Sequence, residues 1–148
     1  MPDLWDALTR TRTVRFEASD ANGGGWSGCG EGTVAAECPA ADVLVFREAG
    51  EWQPERGGSL AFRNVYRWTR TLGGDAVKLE HLRFGEAHPV YLFDLVPAGA
   101  EVWESVASHR CDADDYGARL RLNETGFDFR WEIAGPDKRV VIDYWYGR

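Results

Sequence analysis

From Thr13 onward the chain alternates. Val14 and Phe16 are separated by Arg15 and Glu17, and Leu60, Phe62, Asn64, Tyr66 and Trp68 share one face of a run whose other face carries Ala61, Arg63, Val65 and Arg67. The same period of two continues through Val77–Phe84, Glu101–Cys111, Ala118–Leu122, Phe127–Ile133 and Lys138–Tyr146. Val43–Glu48 and Val90–Val96 are nearly continuous β-branched and aromatic runs. Successive side chains of a strand point to opposite faces, so this pattern predicts strands with one buried face. Only the start departs from it: Leu4, Trp5 and Leu8 fall on one face of a short helix that Asp3 can cap.

Turn residues separate the runs: Gly73-Gly74-Asp75, Gly85-Glu86, Pro97-Ala98-Gly99, Asn123–Gly126 and Gly135-Pro136-Asp137. Strands joined by tight turns are antiparallel neighbours. A sheet of many such strands closes or folds over, which predicts an all-β, up-and-down antiparallel barrel of about 9–10 strands. The short N-terminal helix lies near one end, and residues 1–148 form a single domain. The glycine run Gly23–Gly32 lacks the spacing of a dinucleotide loop and reads as a flexible hairpin or lid.

Composition narrows the function. The chain carries 24 acidic and 17 basic side chains, a net charge of −7. That excludes a basic stripe for nucleic acid and simple electrostatic docking on anionic lipid. Seven Trp, seven Phe and five Tyr suit pleated surfaces and lined cavities. Cys29, Cys38 and Cys111 are odd in number and show no CxxC spacing, so neither a disulfide framework nor a zinc finger is expected. With no signal-peptide pattern at the start and no apolar run near the ~20 residues of a membrane span, the expected location is cytoplasmic.

The segments "RNVYRWTR", "LEHLRFGEAHPVYLFDL", "SHRCDADDYGARLRL" and "FRWEIAGPDKRVVIDYWY" resemble an uncharacterised bacterial family of domains of about 150 residues. The resemblance rests on His109-x-Cys111 before the acidic turn Asp112–Asp115, the restart at Tyr116-Gly117, and the late turn Gly135-Pro136-x-Lys138. It implies a calycin-like barrel, shaped like lipocalins and fatty-acid-binding proteins. It carries no activity across to any residue.

Candidate chemistry lies on polar residues that break apolar faces. His81 and Arg83 follow Val77 and Leu79 in parity. With a three-residue turn at Gly85–Ala87, they face the same side as Tyr91, Phe93 and Leu95, and Asp94 faces out beside Lys78. A slip of one residue would invert every side chain. In the first register an arginine, whose fork matches a carboxylate, points into a ring-lined hollow. The expected function is binding of a small, partly apolar and anionic ligand inside the barrel. The expected contacts are Arg83, His81, His109, Tyr91, Phe93, Tyr66, Trp68, Arg67 and Tyr116.

Three alternatives stay open. One is an enzyme acting on a small organic acid, with Arg67 or Arg83 for the carboxylate and Glu80, Tyr66 or Tyr91 as acid. Another is a haem barrel using His81 or His109. The third is a ligand-free structural barrel or homodimer that uses Trp103 and Trp145. No cofactor is expected. Asp112, Asp114 and Asp115 fail the EF-hand spacing after two ligands, so the acidic segment reads as a turn at the barrel edge.

Overall fold

The computed structural model describes residues 3–22, 25, 27–106, 109–111, 114–136 and 138–148, without the side chains of 109–111 and 114. Asp3 caps α1 (Leu4–Arg10) by accepting the backbone N–H of Asp6 at 2.7 Å. Eleven strands follow: β1 (Thr13–Asp20), β2 (Gly28–Ala40), β3 (Val43–Pro54), β4 (Leu60–Arg70), β5 (Val77–His81), β6 (Val90–Gly99), β7 (Val102–Ser105), β8 (His109–Cys111), β9 (Asp114–Leu122), β10 (Gly126–Ala134) and β11 (Arg139–Gly147). Each neighbouring pair is antiparallel. β1 pairs with β11 and β9 with β10, so the sheet closes on itself. β7 lies along the C-terminal half of β9 and β8 along its N-terminal half. They are two parts of one wall strand, which makes an up-and-down barrel of ten positions.

The alternation read from the sequence sets which face is inside. Phe127, Phe129 and Trp131 on β10 are buried, whereas Asp128, Arg130 and Glu132 are exposed. An eight-stranded barrel is just wide enough for ordinary side chains to fill, and more strands leave more space. Here rings take it up: Phe46, Trp68, Phe93, Phe127 and Phe129 are each at most 1 % exposed and touch one another edge-on or tilted. Such pairs add about 0.5–1.5 kcal/mol each beyond the burial itself.

α1 closes one end. It packs against β2 and β10, with Leu4 and Leu8 buried in the core and the Arg70 guanidinium 4.7 Å over the Trp5 ring. The loops β1–β2, β3–β4, β5–β6 and β10–β11 all lie at the other end.

Two features depart from the expected pattern. The glycine run is not wholly a hairpin: from Gly28 it belongs to β2, one of the longest strands, while Gly23, Gly24 and Trp26 lie outside the described residues. Glycine there is a packing requirement. Gly32 faces Gly50 across the β2–β3 ladder, and a Cβ on either would collide with the opposite backbone. A Cβ on Gly30 would strike the Phe16 ring. A groove of about 790 Å³ lies beside this part of the wall, bordered by Arg15, Glu31, Glu51 and Trp145.

The second departure is a bulge in β6. Leu79 pairs with Phe93, but Glu80 pairs with Tyr91 and His81 with Val90, so one extra residue enters at Leu92.

Gly32→Ala is expected to cost about 1–3 kcal/mol in urea unfolding, because backbone and not a movable side chain blocks the methyl group. Gly58→Ala, in open space, should change stability by less than about 0.5 kcal/mol. Equal effects would remove the close β2–β3 approach as the reason for glycine.

Candidate functional site

The two ends of the barrel differ in how well they are filled. Toward α1 the inward residues Leu44, Trp68, Val77, Leu95, Leu120 and Phe127 are essentially inaccessible. Toward the other mouth the inward residues Phe16, Phe62, Asn64, His81, Tyr116 and Ile142 are only half-buried. A side chain that points into a barrel yet keeps solvent contact marks a mouth that water enters. This partly filled mouth is termed the bowl, with the buried rings Tyr66, Trp131 and Tyr144 as its floor: Trp131 stands edge-on to Tyr66 at 5.8 Å and tilted to Tyr144 at 5.2 Å. His81 stacks on Tyr66 at 4.8 Å. Burial and the nearby Arg83 charge hold the imidazole below its ordinary pKa of 6.5, which favours the neutral form.

Beside these rings lies a carboxyl group. Glu48 is 2 % exposed on the inward row of β3, between Phe46 and Gly50. Tyr146 Oη donates to its Oε2 at 2.6 Å, and Asn64, its cross-strand partner, also hydrogen-bonds it. Among the described residues the one strand cation in step with the inward row is Arg70, which lies at the α1 end with its guanidinium over Trp5 and 2.9 Å from Asp42. Burial raises the Glu48 pKa from 4.5 to about 7, against the opposing pull of the Tyr146 and Asn64 hydrogen bonds. Tyr66, Tyr144 and Tyr146 are all pushed above the ordinary phenol value, first by burial and then by neighbouring charge. Tyr66 and Tyr144 hydrogen-bond to each other. Glu48 thus shares the interior with three phenols, and its hydrogen bonds come from the neutral groups of Tyr146 and Asn64.

A profile of DUF6314, a family of unknown function, matches residues 9–148. The chain belongs to this family. No curated protein matches it.

Within this DUF6314 chain the sequence-predicted contacts separate into groups. Tyr66, His81 and Tyr116 come together at the bowl. His109 pairs with Tyr116 through the backbone at the same mouth, while its side chain, like that of Cys111, lies outside the described residues. Phe93 and Trp68 point inward but are sealed in the packed middle.

Three expectations need correction. The middle of the barrel is filled by rings and is not a hollow. Arg83 does not point inward. It follows the end of β5 and is exposed, with its guanidinium 5.0 Å over the Phe84 ring. Tyr91 turns outward because of the bulge, and its hydroxyl meets Asp94; burial, that hydrogen bond and the Asp94 charge together push the phenol pKa up to about 12. Asp94 does face out opposite Lys78.

Arg67 also faces out. It binds Glu80 at 2.9 Å, with Lys78 at 3.8 Å, so these groups form an ion pair on the outer wall. Asp114 and Asp115 begin β9, and Asp112 lies outside the described residues. Among the described residues no group of His, Cys, Asp or Glu could hold a metal ion, and no helix is long and apolar enough to cross a membrane.

Sequence reasoning missed Glu48. Its signal was the one that drew attention to His81, a polar residue in step with Leu44 and Phe46 on an apolar row. The predicted strand stopped at Glu48, so the residue read as a strand end.

The raised pKa has a stability consequence. Below about pH 4.5 both folded and unfolded chains hold the Glu48 proton. Between 4.5 and about 7 only the folded chain does, so the unfolded state gains by ionising and stability falls as pH rises. The loss is on the order of 3 kcal/mol and levels off above the folded-state pKa. Urea titrations of wild type and Glu48→Gln across pH 4–9 should show this fall in wild type alone. Parallel profiles would exclude Glu48 as the titrating group.

Proposed function

We propose that this calycin-like barrel binds a small, partly apolar ligand in the bowl opposite α1, with an anionic group of the ligand at the rim between His81 and Arg83. The observation that carries the reading is the half-exposed inward row of Phe16, Phe62, His81 and Tyr116. Small-molecule sites combine apolar walls with a few placed polar groups, and this mouth has both. Arg83 serves from the rim, where its charge needs no burial. Leu60 and Phe84, 53 % and 63 % exposed, extend the apolar surface beside it. The exposed free thiols Cys29 and Cys38 accord with a reducing, cytoplasmic setting.

Thermal-shift and native mass spectrometry against aromatic and medium-chain carboxylic acids, with the matching alcohols as controls, tests the reading. One acid per barrel should bind. Arg83→Ala and His81→Ala should each weaken it about tenfold or more, the scale of a lost charge-assisted hydrogen bond. Failure of every acid and alcohol to bind would overturn the proposal. So would ligand-induced NMR shifts confined to Arg15 and Trp145 on the outer groove.

A further inference from the structure

The bowl reading leaves Glu48 without a role, and the packing does not require a carboxyl there. Its neighbours on the inward row are Phe46 and Gly50, and an apolar side chain would avoid the cost of burying an acid. We infer that Glu48 is a proton-transfer residue and that the bowl takes a carbon acid: a small, partly apolar ketone or aldehyde with a hydrogen on the carbon next to its carbonyl. This inference rests on the bowl being a ligand site, and it names the chemistry of that site.

Three observations converge. First, the carboxyl is aimed and held. Tyr146 Oη binds one oxygen at 2.6 Å, and Asn64 hydrogen-bonds the group from the adjacent strand. A carboxylate with apolar surroundings and only neutral donors is a stronger base than one in water. Its elevated pKa places both protonation states within reach at neutral pH.

Second, donors for a developing oxyanion lie beside it. Tyr66 and Tyr144 are hydrogen-bonded to each other. Trp131, packed on both, has a buried Nε1–H with no partner among the described residues. A buried donor normally has a partner, and a carbonyl oxygen on the floor would supply one. Phenol and buried neutral donors around an enolate oxygen form a known way to stabilise it.

Third, the cover is thin. Phe16 and Phe62 sit one inward position closer to the mouth than Val14 and Asn64 on their strands. They meet edge-on at 5.4 Å and are half-exposed, so parting this pair opens the way from the bowl to Glu48.

The groups facing Glu48 are consistent with this role on every side. β4 supplies Asn64 and Tyr66, and β11 supplies Tyr144 and Tyr146. β1 and β2 supply Val14, Gly32 and Val34, and His81 on β5 with Arg83 beyond it stands behind Tyr66. In the step itself the Glu48 carboxylate takes the proton from the α-carbon. The C–H electron pair becomes the enolate double bond, and the negative charge moves to the oxygen facing Tyr144 and Trp131. Glu48, now protonated, returns a proton to the same carbon or to the far end of a conjugated system. The products are an exchanged or isomerised substrate, and no oxidant, reductant or water is consumed.

The test is hydrogen–deuterium exchange in D2O, followed by proton NMR, with cyclohexanone, phenylacetone and 2-tetralone as probes. Wild type should accelerate exchange of at least one probe about 100-fold over buffer, and Glu48→Gln should lose about 100-fold. The wild-type rate should rise with pH and level off above about 7, as Glu48 ionises. Glu48→Asp should keep part of the rate, and circular dichroism should show that both variants fold. A ketone that shifts the His81 and Phe62 resonances yet exchanges at the buffer rate would overturn the inference, as would undiminished exchange by Glu48→Gln. Acids that bind while ketones fail to exchange would sink this inference alone, and loss of all binding would sink the bowl reading with it.

Discussion

A closed ring of ten strands encloses more volume than aliphatic side chains can occupy, and the rest of this structure follows from how that volume is filled. Two solutions are combined. Rings interlock through the centre, from Phe46 and Trp68 across to Phe93, Phe127 and Phe129. Where Gly32 meets Gly50, backbone packs directly against backbone with no room for a side chain. Protein interiors are close-packed, and each lost contact has an energetic cost, so the barrel would not hold its shape with these positions made small or the glycines made large. α1 completes the packing at one end, leaving the other mouth as the place where packing is incomplete.

That asymmetry leaves one end of the barrel sealed and the other in contact with solvent. Glu48 lies between them, close enough to the floor rings to share their phenol groups and deep enough to lose its water. Two opposing effects set its state. Burial favours the neutral acid and the Tyr146 and Asn64 hydrogen bonds favour the anion, so both forms are populated near neutral pH. Arg67 and Glu80, by contrast, satisfy each other on the outer wall and leave no charge free for the interior.

Membership of DUF6314, a family of unknown function, gives a fold context without a reaction. Function in a barrel resides in the particular residues that reach its interior. The open mouth, Arg83 at its rim and the buried acid are therefore the features that distinguish this barrel beyond its shape alone.

The sequence by itself determined the class of fold, the strand parity and the helix. Each follows from local alternation and local turn chemistry: Phe127, Phe129 and Trp131 had to face one way, and Leu4 with Leu8 had to share a helix face. Its reading of the glycine run as a hairpin did not extend to Gly28–Gly32, which belong to β2, because glycine seemed to mark a loop. Only the pairing of β2 with β3 shows the close backbone approach that demands it. The bulge at Leu92 turned Tyr91 outward, and the end of β5 placed Arg83 at the rim; both are properties of pairing between strands. The meeting of Glu48 with Tyr146, 98 residues apart in the chain, was likewise a product of barrel closure. Parity is written residue by residue, whereas contact across a closed barrel depends on the register of every strand between.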